Sequence, residues 1–111
     1  MVDGTARARI VISTAGSTEE AAAIARELVG RRLAACVSRL PGLLSVYQWQ
    51  GKIEEAAEVL LLIKTSQERL AALEAALREL HSYDVPEFLV LPVESGSAAY
   101  LEWLFASVTE A

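Results

Sequence analysis

At 111 residues, 53% of them hydrophobic and 23% charged, the chain is long enough for one domain with its own apolar core. A net charge of −5 argues against nucleic-acid binding, which needs clustered cations. The single cysteine rules out an intrachain disulfide and any Cys-pair zinc spacing. No apolar run approaches the ~20 residues of a membrane span. Met1 to Ala6 lack the apolar centre of a signal peptide, so a cytoplasmic protein is the expectation. Those residues read as a short flexible lead, 1–6, before a single domain at 7–111.

Ala8 to Ser13 read as a first strand, broken at Ala15-Gly16. Ser17-Thr18-Glu19-Glu20 is a capping box. The following helix sets Ala21, Ile24, Ala25 and Leu28 on one face, and Gly30 supplies its C′ stop.

A long apolar hairpin, Leu33 to Thr65, comes next and dominates the chain. An unbroken Leu33–Ile53 arm would span on the order of 65 Å at ~3.3 Å per residue. A compact chain of this length has a diameter of roughly 35 Å. Pro41 removes a ladder donor and Gly42 permits a bend, so a break or bulge falls there. The rest of the hairpin should project, an aggregation hazard unless it is covered. Other copies of the chain are the expected cover. The turn has two candidate places, Gln50-Gly51-Lys52 or Glu54-Glu55-Ala56-Ala57. Alternation of Ser45, Tyr47, Trp49, Gly51 and Ile53 through the glycine favours the second. The returning arm is apolar on both faces over Val59 to Ile63, which predicts a central strand covered on both sides.

Thr65-Ser66-Gln67-Glu68 reads as a second capping box. Leu70, Leu73, Leu77 and Leu80 then form one helical stripe. A loop from His81 to Glu87 delivers a short strand, Phe88 to Val93, limited by Pro86 and Pro92 and therefore at a sheet edge. Ser95-Gly96-Ser97 opens a last helix with Leu101, Leu104, Phe105 and Val108 inward. The order β-α-β-β-α-β-α predicts an α+β, ferredoxin-like βαββαβ sandwich with a long central β-hairpin and an extra C-terminal helix.

Such a fold hosts many functions, so the residues must carry the argument. Cys36 is either a small buried hydrophobe or a soft ligand for Cu(I). His81, the only histidine, either complements a helix C-terminus or ligates metal. One Cys and one His make a poor site within one chain, but copies from several subunits could complete one. Lys64 ends an apolar run. It either snorkels or pairs with Glu58 or Glu87 in a pocket. Tyr47, Trp49, Tyr83 and Tyr100 read as core or interface aromatics. A cleft between subunits lined by Tyr47, Glu58, Lys64, Tyr83 and Glu87 would suit an anionic or polar ligand. No phosphate loop, zinc-type His-Glu spacing or nucleophile elbow is present, and the chain is not read as an enzyme.

Arg32-Leu33-Ala34-Ala35-Cys36-Val37, Pro41-Gly42, then Ser45, Tyr47, Trp49, Gly51 and Ile53 resemble the CutA divalent-cation tolerance proteins. The resemblance continues through Glu58, Ile63-Lys64-Thr65, His81, Tyr83, Val85-Pro86-Glu87, Leu91-Pro92-Val93, Gly96, Tyr100-Leu101 and Trp103. It implies a tight homotrimer whose hairpins wrap onto neighbouring subunits and whose sheets join at their edges. It also implies a cytoplasmic bacterial protein linked to tolerance of copper or another divalent cation. An inter-subunit cleft resembling those of the PII signalling proteins is implied as well. Copper ligation in some members is assigned to a cysteine ending the first strand and to two adjacent histidines. Here those positions are Ser13 and Leu80-His81, which leaves His81 and Cys36 as the metal candidates. A hydroxyl for a thiol and one lost imidazole should weaken copper binding by this set.

Overall fold

The computed structural model describes residues 7–109; the expected lead at 1–6 and residues 110–111 lie outside the described residues. Ala8–Ala15 form β1 and Thr18–Gly30 form α1. The hairpin arms are β2 (Cys36–Trp49) and β3 (Lys52–Ser66). A 3-10 turn, Gln67–Arg69, leads into α2 (Leu70–Leu80). The short β4 (Leu89–Pro92) and α3 (Ala98–Val108) complete the chain. The sheet order is β2-β3-β1-β4 with every neighbouring pair antiparallel. This is the ferredoxin-like arrangement, with β3 central and the proline-bounded β4 at an edge, as the sequence implied.

Alternation along β1 and β3 makes the core. Val11 pairs with Ile63, and Ala15 with Val59, so their side chains share the face that meets Ile24, Leu28, Leu73 and Leu77 from α1 and α2. Leu61, Ile63, Leu73 and Leu77 are fully buried, each a contribution of roughly 1.5–3 kcal/mol. The opposite face of β3 carries Glu58, Leu60, Leu62 and Lys64, all half-buried. The expected cover on both sides is therefore incomplete within one chain. α3 lies chiefly against β3 and β1 rather than in the α1–α2 layer, and packs Leu104 and Val108 with Ala35.

Local signals resolve in different ways. Ser17 Oγ accepts from Glu20 N at 3.1 Å, so the first cap forms. Glu20 does not reach back to the cap itself; it accepts from Gly16 N at 3.3 Å and Ser82 N at 2.8 Å. The stop of α1 falls at Arg32 (φ 59°), not at Gly30. Leu33 N bonds Leu28 O and Arg32 N bonds Val29 O, the Schellman pairing, closed by apolar contact between Leu28 and Leu33. The second capping box does not form. Thr65 stays buried at the end of β3 and donates to Leu33 O at 2.7 Å, and Ser66 makes no side-chain cap bond.

The hairpin turn also differs from the expectation. It falls at Gln50-Gly51, with φ of 50° and 78°, and Trp49 pairs with Lys52. Positive φ at both central residues matches the twist of the flanking strands in a two-residue type I′ turn. Alternation through Gly51 was coincidental: Ile53 pairs with Gln48, on the face opposite Trp49. The break at Pro41-Gly42 is present. Leu40 pairs with Leu60 and Leu43 with Glu58, so two residues oppose one in a β-bulge at which Gly42 has φ 86°. The chain measures 51 × 26 × 23 Å. On the outer hairpin Leu44, Val46 and Ile53 are 69%, 64% and 77% exposed, so the arm does project bare. No helix among the described residues is long and apolar enough to cross a membrane.

Candidate functional site

The site grows from the end of β1. After Ala15 the strand gives way to Gly16, where an added Cβ would stand 3.2 Å from Tyr83 Oη. The missing side chain lets the tyrosine ring lie across the backbone. Tyr83 is held there from behind by His81, the C-cap of α2. His81 Nδ1 accepts from Tyr83 N at 3.0 Å, while Nε2 lies 2.6 Å from Thr14 O. An amide can only donate and a carbonyl can only accept, so these partners fix a neutral imidazole with its proton on Nε2. Both nitrogens of a buried ring are thus already engaged.

Tyr83 Oη donates to Glu58 Oε2 at 2.9 Å, across to β3. Burial, reinforced by that bond and by the Glu58 charge, pushes the phenol up to about 12. Burial, with the Glu58 charge added, also raises the Glu87 carboxyl above its ordinary range. Glu20, across the loop, goes the other way: burial pushes it up, but bonds from Ser82 and Gly16 outweigh this and leave it lowered.

Glu58, Tyr83 and Glu87 border a cleft of about 580 Å³ between the outer half of the hairpin and the loop after α2. Tyr47 and Trp49 enter from β2, Glu58 from β3, and Tyr83, Asp84 and Glu87 from the loop after α2, with Thr14 among the lining residues. The volume suits a small molecule. A second hollow, about 250 Å³ beside the Pro41 bulge, is lined by Arg39 and by none of the candidate residues.

Within one chain Tyr47, Glu58, Tyr83 and Glu87 line this volume and Lys64 does not. It sits six residues along β3 from Glu58, roughly 20 Å away. Its Nζ donates to Ser38 Oγ at 2.5 Å and lies 3.8 Å from Cys36 Sγ, and it pairs with neither Glu58 nor Glu87 of the same chain. Cys36, half-buried, pairs across from Lys64 and is remote from His81, which sits against Thr14. Among the described residues no three His, Cys, Asp or Glu side chains converge as a metal site. Ser13 points into the core, fully buried, and its hydroxyl has no hydrogen-bond partner among the described residues. Glu20 and Asp84 escaped the sequence reading as site residues. Glu20 was visible only as a capping residue, and nothing in its local pattern marks the tie to Ser82.

The fold and site define a class: a ferredoxin-like protein with an overlong hairpin and an acidic, aromatic cleft beside the outer half of that hairpin. Residues 9–107 match the CutA1 divalent ion tolerance protein family, and the chain belongs to that family. It is 46% identical over 95 residues to the divalent-cation tolerance protein CutA of Thermus thermophilus, covering 86% of this chain and 92% of that one. It is 48% identical over 87 residues to a CutA homolog of Xenopus laevis, covering 78% of this chain but 58% of that one. Among solved structures, CutA1 from Oryza sativa superposes with a TM-score of 0.93 at 40% identity, covering 98% of this chain and 100% of that one. CutA from Xylella fastidiosa gives 0.91 at 41%, covering 93% and 99%.

Proposed function

We propose that residues 7–111 act as one domain, the subunit of a homotrimeric cytoplasmic protein that binds divalent metal, copper first, and serves metal tolerance and homeostasis rather than catalysis. Membership of a divalent ion tolerance family carries the metal role. The bare apolar hairpin supports the trimer, because so much exposed Leu, Val and Ile requires a partner. Cys36 offers a soft thiol. His81 joins the ligand set only after Nδ1 releases the Tyr83 amide, which predicts weak binding by this pair. Copper titration by calorimetry of wild type, Cys36→Ser and His81→Ala tests this. A saturable site lost in Cys36→Ser and weakened in His81→Ala is expected. Equal, non-stoichiometric uptake by all three overturns it.

The cleft favours a second reading, a PII-like small-molecule sensor or signalling protein with its ligand held between subunits. Tyr47, Glu58, Tyr83 and Glu87 already line one volume; Lys64 would have to arrive from a neighbouring protomer. A thermal-shift screen of nucleotides and metabolites tests it, since a ligand of the folded state raises the melting point with concentration. Shifts that survive Lys64→Met unchanged remove the lysine from the site.

A further inference from the structure

We infer that Cys36 and Lys64 form a redox modification site, at which peroxide joins the two side chains by a reversible sulfur–nitrogen bond. It involves neither the cleft nor a bound metal. Cys36 and Lys64 are direct partners in the antiparallel ladder of β2 and β3, and the bond from Ala35 N to Lys64 O at 2.8 Å pins that register. Opposed residues of such a pair hold their Cβ atoms ~4.5–5.5 Å apart on one face of the sheet. Lys64 Nζ accordingly lies 3.8 Å from Cys36 Sγ. Ser38, two residues along β2 on the same face, accepts from Nζ at 2.5 Å and lies 3.8 Å from Sγ, so it holds the amine beside the sulfur. All three side chains belong to one chain and one hairpin. Their spacing is set by the ladder, not by whatever surfaces neighbouring copies cover.

The groups at hand dictate the chemistry. Cys36 is the chain's one cysteine, so an oxidised thiol finds no second thiol in its own chain with which to form a disulfide. It is half-buried, which leaves the sulfur open to an oxidant as small as hydrogen peroxide. Peroxide takes two electrons from the sulfur, giving the sulfenic acid and one water. Sulfenic sulfur is an electrophile that condenses with nitrogen. Lys64 Nζ, once its ammonium proton has passed to solvent, attacks that sulfur. The S–O bond breaks, an S–N bond forms, and the hydroxyl leaves with a proton from the nitrogen as a second water. Two equivalents of a small thiol reverse the step, departing as their own disulfide and returning Cys36 and Lys64. While joined, the pair staples the inner end of β2 to β3 and withholds the thiol from any metal.

The test is mass spectrometry of the full chain, folded and assembled as purified, after exposure to excess hydrogen peroxide. The expected product is lighter than the reduced chain by two hydrogen atoms, with the tryptic peptides of Cys36 and Lys64 joined and cleavage after Lys64 lost. Dithiothreitol should restore both peptides. Ser38→Ala should slow formation of the link by about tenfold. Lys64→Met and Lys64→Arg should abolish it and let Cys36 go on to the sulfinic acid. Lys64→Arg keeps the positive charge and serves if Lys64→Met fails to fold, since a guanidinium that stays protonated has no lone pair to attack with. Oxygen addition to Cys36 with Lys64 left free overturns the inference, as does a disulfide between two chains. A thiol that reacts only after urea has unfolded the chain overturns it too.

Discussion

Ser13 shows how a single position can be at odds with its surroundings. Its hydroxyl is buried against the helix layer without a partner among the described residues, and an unsatisfied polar atom in such a place costs about 1–3 kcal/mol. Ser13→Ala removes the atom and leaves almost no cavity, so urea unfolding should show a gain of about 1 kcal/mol. Tyr83 is the opposite case, a polar group whose bond to Glu58 ties the loop to the hairpin. Its folded-state pKa, about 12, is raised above the unfolded value of about 10. The stability linked to this shift is therefore whole below pH ~10 and lost as pH climbs through about 12. Melting points of wild type and Tyr83→Phe, compared from pH 8 to 12, should converge at the alkaline end. A constant gap would assign the effect to packing.

At the scale of elements, left-handed backbone at two places decides where the chain turns. Arg32 ends α1 and Gln50-Gly51 reverses the hairpin. Gly51→Ala places a Cβ at φ 78° and should destabilise by roughly 1–2 kcal/mol, although nothing lies within 4 Å of that Cβ. The loss would thus be backbone strain alone, and Gln50→Asn, which favours the same turn, should not reproduce it in thermal melts. At the base of the hairpin, the Thr65 bond to Leu33 O ties the end of β3 to the segment leaving α1. Thr65→Val keeps the volume and deletes the donor, leaving a buried carbonyl unpaired. A loss of about 1–3 kcal/mol should follow in chemical unfolding.

For the whole molecule the dominant fact is shape. A 51 Å long axis on a body 23–26 Å across means that the outer hairpin contributes little to the chain's own core. Leu44→Ser combined with Val46→Ser should therefore leave the helix content of each chain intact. Sedimentation velocity at micromolar concentration should meanwhile show the proposed trimer dissociating. An unchanged sedimentation coefficient would mean that the arm is covered in some other way, or not at all.

Periodicity, caps and prolines, all local and steric, were enough to determine the element order, the buried stripes of all three helices, the bulge at Pro41-Gly42 and the edge position of β4. The hairpin turn was beyond such reasoning, because a coincidental alternation and a true register look alike until the partner strand is in place. The role of Glu20 in tying Ser82, the engagement of both His81 nitrogens and the separation of Lys64 from Glu58 were likewise decided only by tertiary structure. Each depends on which residues meet across sequence separations of 60 or more, or on how far a straight strand carries two side chains apart.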